Sequence, residues 1–156
     1  MSLWTHITGT VRVDSFLEYA KTKKQIEDIL GKPAYFESPE DWDSCKLPLG
    51  SEGSVEYKII QSGEEKTQTN KNGKVSVSST NLAAFVVCFW GDLRDYELDD
   101  KIDEVEKWFK EFVLSEGLLI RSAVLEVECF DEKVIFHYEK DFRNNQAKVV
   151  KTNIKN

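Results

Sequence analysis

Four residues, Lys71-Asn72-Gly73-Lys74, constrain this chain more than any other feature. Asn-Gly is the preferred centre of a two-residue type I′ hairpin turn, in which both positions need positive φ. Such a turn sets one register for two long segments. Ile59 then faces Val86, Tyr57 faces Cys88, and Val55 faces Trp90, so apolar side chains meet apolar ones far from the turn. Between those pairs runs SGEEKTQTNKNGKVSVSSTN, which is almost wholly polar. The expectation is one long hairpin with its base in a core sheet and its tip, 63–81, a polar ribbon standing out from the body. Gly63 marks the place where the ladder would break, and a break there leaves a loop carrying a minor turn.

The flanking segments supply further strands and two helices. In WTHITGTVRV, Ile7, Val11 and Val13 share one parity with Gly9, and Trp4, His6, Thr8, Thr10 and Arg12 share the other. That is the alternation of a strand with one buried and one polar face. TKKQIEDILGKP predicts a helix, with Thr22 and Gln25 spaced as a capping box and Ile26, Ile29 and Leu30 on one stripe. Gly31 and Pro33 are its stop signals. Residues 34–52 have no period and read as a long loop pinned by Phe36, Trp42 and Leu47. LAAFVVCFW is apolar on both parities, as in a central strand. A second helix follows, capped by Asp99 or Asp100, with Ile102, Val105, Phe109, Phe112 and Val113 at helical spacing and Gly117 at its end. RSAVLEVECF and KVIFHYEK then predict a closing hairpin.

The resulting order predicts an α+β, ferredoxin-like split β-α-β fold: an antiparallel sheet with two helices on one face and a long protruding β-hairpin. Residues 1–142 form its single domain, and 143–156 form a basic tail. From Lys140 on there are five basic side chains against Asp141 alone, so the remainder is more acidic than the net −7 of all 156 residues. A body of that sign repels phosphate backbones, and direct nucleic-acid binding is not expected. No apolar run approaches a membrane span, and the opening residues do not read as a secretory signal. Three dispersed cysteines fit free thiols in a cytoplasmic protein better than a disulfide frame or zinc site.

Candidate sites are sparse. Between Asp92 and Glu106 eight acidic side chains stand against Arg94 and Lys101. Asp92, Asp95, Asp99, Asp100 and Asp103 are the candidate contact residues for a protein partner with a basic surface. The same acids also suit the positive end of a helix dipole, and with Arg94 among them they lack the pattern of a calcium loop, so no metal is expected. Asn72 at the ribbon tip is a second candidate contact. Trp4, His6 and Arg12 share one strand face and make a third, for a nucleotide or for a second copy of the chain. His6-Ile7-Thr8 is one His-x-Thr element of the two-histidine phosphoesterases. The other histidine reads His137-Tyr138-Glu139, which replaces the phosphate-binding hydroxyl with a carboxylate. No nucleophile elbow, P-loop or dinucleotide fingerprint occurs, so neither catalytic residues nor a cofactor are expected.

WTHITGTVRVDSF, LPLGSEGS and FWGDLRDYE together resemble segments of a group of small, mostly uncharacterised bacteriophage and prophage proteins. The resemblance implies a protein of the host cytoplasm, acting as an inhibitor of a bacterial defence system. It assigns no functional residue and does not include the ribbon. The combined expectation is a non-catalytic binding protein. The alternatives are a nucleotide-sequestering protein or phosphoesterase using the open sheet face, and a homodimer closed through that face.

Overall fold

A computed structural model describes residues 2–16, 18–33, 45–79 and 83–155, without the side chains of Ser79, Ala83 and Asp100. Phe36 and Trp42, expected to pin the long loop, lie outside the described residues. Among those residues the chain forms β1 (Trp4–Asp14), α1 (Tyr19–Leu30), β2 (Glu56–Gln61), β3 (Glu65–Thr69), β4 (Val75–Ser79) and β5 (Ala83–Arg94). These are followed by α2 (Leu98–Val113), β6 (Leu119–Cys129), β7 (Glu132–Asp141) and β8 (Gln146–Lys155). Six strands make one antiparallel sheet in the order β2-β5-β1-β6-β7-β8, and β3 and β4 pair as a separate ribbon.

This corrects the expected fold class. Strand outweighs helix, 51% against 20%, and the sheet is six strands wide with a second small sheet beside it, so the protein is mostly β and not a simple ferredoxin-like fold. The physical reason lies in the closing segments. Residues 146–155, expected within a basic tail, pair along the whole of β7 as an edge strand. An edge strand needs only one apolar side and tolerates lysines, which discourage further pairing, so Lys148, Lys151 and Lys155 made it read as a tail.

The core follows the alternation. Crossing the sheet, Tyr57, Phe89, Gly9, Leu125, Phe136 and Lys151 form one row. Both helices pack on that side. Tyr19 of α1 lies 5.5 Å from Phe85, and in α2 Trp108 lies 5.3 Å from Phe89 and Phe109 6.3 Å from Phe136, measured between rings. Ile26 and Leu30 of α1 and Val105, Phe109 and Phe112 of α2 are buried against it. Among the described residues no element covers the opposite face.

The helix ends differ from expectation. Neither helix has a side-chain cap of its own. Thr22 is spent on Ser15, 2.9 Å away, and Gln25 donates to the carbonyl of Glu116 at 2.8 Å, so the capping box does not form. Instead Glu65, on the ribbon, accepts the backbone N–H of Glu18 and that of Tyr19, the latter at 2.8 Å. A carboxylate at the positive end of α1 satisfies two of its orphan donors and also fixes the root of the ribbon to the body. In α2 the cap is Glu97, ahead of Asp99, and the helix stops at Val113, before Gly117.

The hairpin also departs in detail. Ile59 faces Val87, Tyr57 faces Phe89, and Glu56 faces Trp90, one residue away from the expected register. A one-residue slip exchanges faces, and this one carries Tyr57 and Ile59 to the core side. At the tip the turn spans 71–73, not 72–73. Asn70 and Lys74 close it, Gly73 N–H donates to Asn70 O at 3.0 Å, and Gly73 alone in the turn has positive φ, +74°. Asn70 decides this: its side-chain oxygen accepts the N–H of Asn72 at 3.0 Å and of Lys74 at 2.8 Å, favouring the longer turn with glycine last.

Candidate functional site: the uncovered sheet face and its two ends

Even-numbered residues of β1 point to the uncovered face, so Trp4, His6, Thr8, Thr10 and Arg12 lie there together, as expected. They are strung along one strand, however. His6 and Arg12 are six residues apart, about 20 Å in an extended chain. His6 meets the carboxylate of Asp92 on β5 through Nδ1, and His137 meets Glu139 at 2.9 Å through Nε2. The two histidines share the face, but their strands are separated by β6 and their registers by four residues. The separation is roughly 16 Å. They do not converge as an acid and base on one phosphate.

The five acids do not form one ridge either. Asp92 is on the uncovered face, whereas Asp99 and Asp103 are on α2, behind the sheet. Asp95 sits in the turn after β5 with φ +52°, accepting a hydrogen bond from Ser51 Oγ at 2.7 Å. Asp103 lies 3.5 Å from Lys151 of β8, which also reaches Glu106 at 3.4 Å. Lys110 first, and then Lys151, hold the Glu106 carboxyl below its ordinary range. Asp100 is within α2, and its side chain is not among those described. Among the described residues no three His, Cys, Asp or Glu side chains are grouped to hold a metal ion.

The end of the sheet that carries Asp92 is rigidly built. Residues 49–54 fold back on β5: Ser51 N–H donates to Arg94 O at 2.8 Å, and Arg94 N–H donates to Glu52 O at 2.9 Å. Gly53, at φ +82°, passes so close that a Cβ there would stand 2.1 Å from the Asp92 carbonyl. The Arg94 guanidinium clamps the same loop through Glu52 and reaches Ser2 Oγ at 2.9 Å. LPLGSEGS therefore is a turn, and it lies directly against FWGDLRDYE and the start of β1.

At the other end stands the ribbon. Every described side chain of β3 and β4 is exposed, Val75 at 57% and Val77 at 42% among them, and Asn72 is at its tip. The residues that sequence reasoning missed are Glu65, Trp90, Arg94 with Glu52, and Arg121. Arg121 holds buried Asp14 through two bonds of 2.8 and 2.6 Å. Apart from Trp90, each acts on a partner more than forty positions away, and no local pattern marks such pairs.

The fold and its surfaces define an antiparallel β-sheet protein backed by helices on one face, with a second face that no element covers among the described residues, and a projecting ribbon. No helix among the described residues is long and apolar enough to cross a membrane. No family model, curated protein or solved structure matches the chain.

Proposed function

We propose that this chain is a non-catalytic binding protein whose contact element is the β3–β4 ribbon. The observation that carries this reading is the ribbon's cost. Two strands that bury nothing still lose their conformational freedom, and an isolated two-stranded hairpin is marginal in water. Here such a hairpin is nevertheless anchored at its root by Glu65 and keeps two valines exposed at its tip strand. It adds nothing to the core, so its use lies in contact with something else.

The partner is a protein with a basic surface, attracted by the acids of α2 and of the turn before it. Long-range attraction of this kind acts mainly on the rate of encounter. The resemblance to phage proteins makes a bacterial defence protein the target, inhibited by blockade. The test captures partners from a bacterial lysate with three baits: the full chain, a chain with 66–78 replaced by a short Gly-Ser link, and D92N/D95N/D99N/D103N. The expected result is a partner retained by the full chain, lost from the ribbon replacement, and held with weaker salt dependence by the acid variant. Identical capture by all three would remove this reading.

A further inference from the structure

The uncovered face is divided by charge along the strands. Toward the 49–54 loop it carries Glu56, Asp92, Glu126 and Glu128 against Lys133 and, at the rim, Arg94, which is paired with Glu52. Toward the ribbon it carries Lys58, Arg12 and Lys148 against Glu139 and, at the rim, Asp141. The halves meet in a band of two rows that are mostly without formal charge. One row of it is Lys58, Cys88, Thr10, Val124, His137 and Val150, and the next is Glu56, Trp90, Thr8, Glu126, Ile135 and Thr152.

We infer that this face is the interface of a two-fold homodimer, with the partner sheet turned end for end about an axis that crosses the strands between Thr8 and Thr10. A two-fold interface must be complementary to itself, and this operation makes the face so. It brings the more acidic half over the partner copy's more basic half and lays the two central rows over one another. Each strand lies over its own counterpart, so Glu56 comes over Lys58 of the other copy. Lys133 and Glu139 match as well, because both are on β7 and come over one another. A two-fold axis running along the strands would instead stack acid on acid, so the charges select one orientation.

Two further observations favour a second copy. β5 is apolar on both parities, the composition of a strand covered on both sides, yet the described chain covers one. Trp90, at 42% exposed, Val124, at 42%, and Ile60, at 44%, remain on the bare side. Six strands by four residue rows span roughly 700 Å². That is near the about 800 Å² that each partner contributes to a standard stable interface. Two sheets packed about 10 Å apart with nearly aligned strands are an ordinary sandwich. The dimer would carry its two ribbons at opposite ends, free for the binding proposed above, on which this inference does not rest.

The test is mass in solution by light scattering across a dilution series. The wild-type chain is expected at twice 18.0 kDa. K58E/K133E makes all four overlying contacts acid on acid, and E56K/E139K makes them base on base. Each variant is expected to dissociate at least roughly 100-fold more readily. An equimolar mixture of the two restores every pair with opposite sign and is expected to return to dimer mass. Val124→Glu, which sets a charge in the band over Glu126 of the other copy, is expected to be monomeric with an unchanged far-UV spectrum. A wild-type monomer at about 100 µM, above the dissociation constants of most interfaces this size, would overturn the inference. So would variants that stay dimeric, or a mixture that stays monomeric. None of these outcomes touches partner capture by the ribbon, so the two proposals fail separately.

Discussion

Phe89 and Trp90 are consecutive residues of β5, and they belong to different proteins in all but the covalent sense. Phe89 is 3% exposed, in edge contact with Trp108 at 5.3 Å and Phe112 at 5.8 Å. Trp90 is 42% exposed, its indole N–H donating to Glu56 at 2.8 Å across the bare face. One row of the sheet is filled by helix side chains, and the row beside it is covered by nothing in the described chain. The pair teaches that apolar character alone does not place a residue in the core. The strand offers two apolar faces, and the helices take one.

The largest effect that would break this comparison is on the covered side. Phe89→Ala is expected to cost about 3–5 kcal/mol in urea unfolding. Trp90→Ala, measured at dilution, is expected to change stability by less than about 1 kcal/mol and to act on self-association instead. Equal losses in the two variants would mean that both faces are buried in one chain.

A smaller effect sharpens the contrast between body and ribbon. Glu65→Ala removes the acceptor for two N–H groups at the start of α1, and about 1 kcal/mol is expected to be lost. Amide exchange should quicken at Glu18 and Tyr19 and along the ribbon while β1 is unaffected. Glu65→Gln retains an acceptor and should recover part of the loss. Unchanged exchange in the ribbon would show that Glu65 does not anchor it.

The smallest effect separates the sheet centre from its edge. Glu106 is held below its ordinary value of 4.5 by Lys110 and Lys151, and Glu139 below the same value by His137 and Lys148. Asp141 is likewise lowered from 3.8, first by the N–H of Arg143. A carboxyl depressed in the folded state contributes stability above its unfolded value and loses it as pH falls through the folded one. The ties from Lys148 and Lys151 of β8 should therefore weaken below pH 4.5. These are surface ion pairs of small individual worth, so local opening is expected rather than unfolding. After correction for intrinsic chemistry, exchange at pH 3 should rise for Val149 and Val150 and stay level for Val11. Parallel behaviour of the three amides would show that the edge is held by its backbone ladder alone.

Much of the scaffold was legible because the alternation of apolar residues is steep where burial is complete. β1, β6 and β7 and the apolar stripes of both helices emerged near their true limits. The register of β2 on β5 did not, because both parities of β5 are apolar and a one-residue slip leaves the pattern looking equally good. The turn type was misread because Asn72-Gly73 outweighed Asn70, whose side chain selects the longer loop. β8 was hidden by its lysines, and with it the width of the sheet and the fold class. At the candidate site, the shared face of Trp4, His6 and Arg12 was foreseen from parity. The dispersal of the five acids over two sides of the sheet was not, since chain proximity says nothing about which side a turn delivers a residue to.

The sequence by itself determined which side chains seek cover and which strands and helices carry them, because periodicities of two and of 3.6 are local properties of the backbone. Only the tertiary structure decided which face the helices would occupy, that Glu65 would cap a helix 46 positions away, and that charges from six separate strands would be distributed unevenly along one face. Those outcomes depend on pairing between distant segments, and they became visible only when the sheet brought its strands side by side.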